Sequence, residues 1–105
     1  MNLDRNNHPE GKSKYALINL RKVPGNPKTA EALADAIRAN PACVEFGEPR
    51  SKEEFFVIKL RDANAADALG AYAAAASTHD VEYAEAVQEL EERAGSNSPF
   101  CKLPD

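Results

Sequence analysis

The sequence predicts an α+β fold in which a sheet of three or four strands carries helices on one face. Two observations lead to this expectation. The segments Tyr15-Ala16-Leu17-Ile18-Asn19-Leu20 and Phe55-Phe56-Val57-Ile58-Lys59-Leu60 are short, rich in aromatic and branched residues, and bounded by turn signals, as strands are. Three other stretches repeat apolar residues at the three- and four-residue spacing of a helix with one buried stripe.

Taken in order, residues 1–13 hold Asn6-Asn7, His8-Pro9 and Gly11 without periodicity and read as a flexible N-terminal arm. The first strand follows. Val23-Pro24-Gly25-Asn26-Pro27 then turns the chain, with Asn26 suited to cap a helix and Pro27 to its first position. In that helix Ala30, Leu33, Ala34 and Ile37 form the stripe, and Asn40-Pro41 ends it because a residue before proline avoids helical angles. Cys43-Val44-Glu45-Phe46 is the second strand, with Val44 and Phe46 on one face. The turn Gly47-Glu48-Pro49 and the charged run Arg50-Ser51-Lys52-Glu53-Glu54 lead into the third strand, a connection that suits an antiparallel hairpin.

The second helix is expected to start near Asp62 or Asn64, with Leu69, Tyr72, Ala73 and Ala76 as its stripe. Ser77-Thr78-His79-Asp80 interrupts it and caps a third helix striped by Tyr83, Val87, Leu90 and Ala94, and Gly95 is a fitting stop. Phe100 and Leu103 in the tail, residues 96–105, are costly to leave in water. The tail is therefore expected to dock on the body, as a short edge strand or a plug, between Pro99 and Pro104.

The resulting order is βαββαα with a possible short C-terminal strand, a ferredoxin-like plan spanning a single domain at 14–95. Strand, helix and strand at the start would form a right-handed parallel crossover. Side chains alternate between the faces of a strand, so Ala16, Ile18, Leu20, Phe56, Ile58 and Leu60 are expected under the helices. The opposite face, Tyr15, Leu17, Phe55 and Val57, would stay open and apolar, and is the expected binding surface.

Bulk properties narrow the function. The chain has 105 residues, 43% hydrophobic and 29% charged, the composition of an ordinary globular domain. No apolar run reaches the roughly 20 residues of a membrane span, and residues 1–7 lack a signal peptide's apolar core, so a cytoplasmic location is expected. The net charge of −4 is uneven: residues 1–28 carry +4 and the remainder −8. A basic N-terminal edge on an acidic body points weakly to an anionic partner.

Sites for chemistry are sparse. Cys43 and Cys101 with His8 and His79 have no metal-ligand spacing, and nothing in the sequence pairs a thiol with a base. Glu53-Glu54 and Glu91-Glu92 are adjacent; on a helix such neighbours diverge by about 100°, so Glu91 and Glu92 do not converge on one ion. No glycine-rich phosphate loop is present, and the best anion contacts are Arg21, Lys22 and Lys28 around the first helix start. No catalytic residue, metal or cofactor is therefore expected. The favoured function is a non-catalytic protein-interaction or regulatory module that binds a partner or itself through the open sheet face. One alternative is a single-stranded nucleic-acid binder stacking bases on Tyr15 and Phe55 and tracking phosphates with the basic N-terminal segment. Another is a small inhibitor of a larger complex, of the kind phages and mobile elements encode.

Overall fold

The computed structural model describes residues 14–103. The arm expected over 1–13, with His8, and the end of the tail lie outside the described residues. Within them the chain divides into two compact units, with the boundary between Phe56 and Val57.

In the first unit, β1 (Leu17–Ile18) pairs antiparallel with β2 (Val44–Glu45), Leu17 opposite Glu45 and Ile18 opposite Val44. Helix α1 (Ala30–Ala39) lies between them in sequence. The Asn19 side chain ends β1, accepting a hydrogen bond from the Arg21 amide and turning Leu20–Lys22 into a 3-10 turn. Asparagine competes with a strand ladder in this way. Leu20, expected inside, is consequently exposed. Thr29, not Asn26, caps α1, its hydroxyl accepting from the Ala32 amide. Leu33, Ala34 and Ile37 are half-buried, and no residue of α1 is fully buried.

The ferredoxin-like sheet does not form: among the described residues the only sheet has two strands. The parallel crossover is also replaced, for a local reason. Asn40 ends α1 and donates from its amide nitrogen to the Lys22 carbonyl at 2.8 Å. That bond returns the end of α1 to the end of β1. The 3-10 turn Pro41–Cys43 then starts β2 beside Asn19, whose amide donates to the Cys43 carbonyl at 2.8 Å. A strand begun where its partner ended runs back antiparallel to it. Cys43 and Val23 are buried here, and Cys43 is the largest fully buried side chain among the described residues.

The third expected strand, 55–60, takes no strand or helix conformation. Over 55–58 its alternation survives with the phase reversed. Phe55 and Val57, expected open, are half-buried, while Phe56 and Ile58, expected in the core, are exposed, Phe56 at 62%. The charged loop before it sets this phase. Glu54 accepts from the Arg50 amide, Ser51 donates through its amide and hydroxyl to the Glu48 carbonyl, and the Glu54 amide donates to Ser51. The folded loop delivers the Phe55 ring over Gly47: a Cβ on residue 47 would stand 2.6 Å from Cδ2 and 2.9 Å from Cζ of that ring. Gly47 also has φ +62°, a region other residues enter at a cost. A one-residue change of phase moves every side chain to the other face.

In the second unit, α2 (Ala65–Ala76) and α3 (Val81–Glu91) form a helical hairpin joined by residues 77–80. Asp62 accepts from the Asn64 amide before α2, and Asp80 caps α3 by accepting from the Tyr83 amide. The buried side chains are Ala65 and Ala73 from α2, Ala84 and Val87 from α3, and Ala94 beyond it. At Gly70 a Cβ would meet Glu91 Oε2 at 3.0 Å, and at Gly95 it would meet the Ala66 Cβ at 3.1 Å and the Ala63 carbonyl at 3.2 Å. Small residues therefore set how closely the two helices approach. The tail is held to the start of this unit by its backbone, Lys102 donating to the Arg61 carbonyl and accepting from the Ala63 amide at 2.9 Å each. Phe100 and Leu103 remain 74% and 70% exposed, so the tail plugs no apolar face.

Two expected outcomes follow from these packings. Gly47→Ala is expected to cost about 2–4 kcal/mol, from left-handed strain plus the Phe55 overlap. Gly25→Ala, with positive φ in open space, costs only about 1–2 kcal/mol. Urea unfolding of the two variants checks the difference. Phe55→Ala should likewise destabilise more than Phe56→Ala, by about 1–2 kcal/mol; equal losses would contradict the reversed phase.

Candidate functional site

The residues expected to share an open sheet face do not share a sheet. Leu17 lies in β1 and is exposed, and Tyr15 is half-buried before it with Lys14 Nζ 5.8 Å from its ring centroid. Phe55 and Val57 lie outside any strand, and the Phe55 ring is committed to Gly47. The face fails because it needs a ladder between the first and third segments, and the local bonds of Asn19 and of the 48–54 loop take each segment elsewhere.

Of the expected anion contacts, Lys22 is engaged by the fold. Lys22 Nζ lies 3.8 Å from Glu45 Oε2, and its carbonyl receives Asn40. At the start of α1 the Thr29 hydroxyl takes the Ala32 amide, and Glu31 adds a negative charge to the first turn. Arg21 and Lys28 are exposed. Cys43 is buried and Cys101 exposed, both as free thiols. Among the described residues no group of three or more His, Cys, Asp or Glu side chains is placed to hold a metal ion. No helix among them is long and apolar enough to cross a membrane.

The best-formed surface feature is one the sequence reading placed in the core. Tyr72 on α2 and Tyr83 on α3 were expected in the buried stripes, yet they are 52% and 49% exposed. Alanines fill the hairpin interior and the rings stand at its edge. Their centroids are 6.1 Å apart with planes at 74°, an edge-to-face pair. The phenol oxygens are 3.0 Å apart, within hydrogen-bond distance. Each tyrosine thereby holds the other's orientation before any ligand arrives. The signal for this in the sequence is the alanine run 73–76, since a stripe that alanine can fill leaves a neighbouring tyrosine free to keep its hydroxyl at the surface.

The hydrogen bond to Tyr72, then the charge a Tyr72 phenolate would add, then slight desolvation, all raise the Tyr83 phenol above its ordinary value of 10.0. The bond requires the proton, so its contribution to stability is complete below the unfolded-state titration near pH 10 and is lost as pH rises through the elevated one. In ultraviolet titration one phenol is expected to ionise above the usual range, and Tyr72→Phe should return Tyr83 towards it.

Elsewhere on the hairpin the exposed surface of α2 is almost wholly alanine, with Ala68, Ala71, Ala74 and Ala75 facing out beside Tyr72. No protein-family model, no curated protein and no solved structure matches this chain.

Proposed function

We propose that this protein is a small non-catalytic interaction module that binds a protein partner through the tyrosine-centred face of the α2–α3 hairpin. One observation carries the reading: alanines occupy much of the hairpin interior while Tyr72 and Tyr83 remain together on its surface. Exposed large apolar side chains gathered on a rigid element are the feature that marks interaction surfaces, and tyrosine is enriched among their energetic anchors. The edge-to-face geometry adds preorganisation, which lowers the ordering cost of binding. The backbone-bonded helices place both rings on regular elements and not on loops.

The nucleic-acid alternative has less support. The stacking residues it needs are half-buried, and the hairpin unit is rich in carboxylates. Nucleic-acid affinity rests on phosphate neutralisation by basic groups.

The test compares quantitative capture by the native protein, by Tyr72→Ser/Tyr83→Ser, and by Lys52→Gln as an exposed control in the first unit. Both tyrosines are half-exposed, so the double variant should retain its helical circular dichroism. A protein partner held by the native chain and the control should be lost by roughly tenfold or more on the double substitution. Equal capture by all three would overturn the assignment of this face.

A further inference from the structure

Charge around the tyrosine pair points to the chemistry of the partner. Between Asp62 and Glu92 the chain holds eight carboxylates and no lysine or arginine. Helical phase distributes them about the apolar face. With successive residues about 100° apart, Tyr72, Ala68, Ala75 and Ala71 follow one another around α2, and Asp67 comes next. Around α3, Tyr83 is followed by Leu90 and Ala86 and then by Glu82 and Glu89. The touching rings put these two arcs on the same side of the hairpin. Asp67 and Glu82 are exposed, and the exposed Glu89 carboxylate lies 3.7 Å from the Arg93 guanidinium. The face is therefore an apolar band with a carboxylate rim on each side. Its alanine half presents nothing longer than a methyl group, so another backbone can come close.

Resting on the reading that this face binds protein, we propose that its occupant is a basic amphipathic helix of a partner protein, apolar along its centre and lysine- or arginine-rich at both edges. An apolar helix face fills the band between the rims, as in other helix-in-groove recognition. Its flanking cations meet Asp67 on one side and Glu82 on the other, while Glu89 is already paired with Arg93 at 3.7 Å. A second copy of this hairpin is the poorer occupant, because its own rims would set carboxylates against carboxylates. Complementary rim charge of this kind acts chiefly on association rate and partner choice, with the aromatic centre supplying affinity.

The test uses the full chain and four synthetic helical peptides labelled for fluorescence anisotropy. One is a leucine-faced helix with lysine edges, and the second has glutamate edges. The third carries lysine edges but serine in place of leucine, and the fourth is oligolysine. The first peptide is expected to bind, with the other three weaker by roughly tenfold or more. Its affinity should fall between about 0.1 M and 0.5 M salt, since rim charges are screened. Tyr72→Ser/Tyr83→Ser should weaken it by a similar factor. Ala71→Lys/Ala75→Lys should do the same through repulsion, and lysine is a good helix former, so this variant keeps the fold.

Equal binding of the lysine and glutamate helices would overturn the proposal. So would equal binding of oligolysine, or indifference to both double variants. Light scattering separates this failure from failure of the wider reading. A dimer that dissociates on Tyr72→Ser/Tyr83→Ser would overturn the basic helix while retaining the face as a protein interface. A monomer that binds none of the peptides, and whose captured partners are unchanged by that substitution, would overturn both.

Discussion

Close approach of α2 and α3 is the constraint on which the second unit depends. Their shared interior is built from Ala65, Ala73, Ala84 and Val87, and Ala94 follows just beyond. Gly70 admits the Glu91 carboxylate, and Gly95 lies against Ala66 and the Ala63 carbonyl while its own amide donates to Leu60. Side chains at a helix contact set the distance between the axes. An interior of methyl groups brings them together and leaves no volume for an aromatic ring. Tyr72 and Tyr83 are displaced to the rim of the contact, where edge-to-face packing and a phenol hydrogen bond hold them. The surface proposed for binding is thus a direct result of how little the interior can hold.

The first unit depends on a different kind of interaction. Side-chain amides, not a large apolar interior, direct its chain. Asn19 closes β1 and donates to Glu45 across the two strands, and Asn40 joins the end of α1 to Lys22. Those bonds decide that β2 returns antiparallel. The apolar contribution is modest: Val23 and Cys43 are buried, and the Phe55 ring covers Gly47. Leu17, Leu20, Phe46 and Phe56 are left exposed, so this unit too carries more large apolar groups outside than inside.

The proposed function rests on this imbalance. Burying an exposed aromatic side chain gains roughly 1.5–3 kcal/mol, a gain that the small interior forgoes and a partner would recover. In the proposed complex the acidic rims would bias which partner recovers it. In this picture the alanine-rich sequence of α2 keeps the helix stable at low side-chain entropy cost and leaves its outer surface smooth enough for another helix to lie against.

Local signals in the sequence located the three helices but not all of their ends: Thr29 and not Asn26 caps α1, and α3 stops at Glu91, short of Gly95. Proline after Asn40 and the Asp80 cap mark boundaries that depend on neighbouring groups alone. Periodicity was also real where it was read: residues 55–58 do alternate between half-buried and exposed. Periodicity does not contain its own phase or a pairing partner. Whether Phe55 or Phe56 faces inward was decided by the fold of the 48–54 loop and by space over Gly47. Whether the strand-like segments paired was decided by Asn19 and Asn40, residues far apart in sequence that act on backbone groups. The same limit explains the site. Composition shows that α2 is alanine-rich and that 62–92 is acidic, but a helix stripe that either alanine or tyrosine can fill does not say which goes in. Only the tertiary contact, through the volume available between two helices, places the tyrosines at the surface.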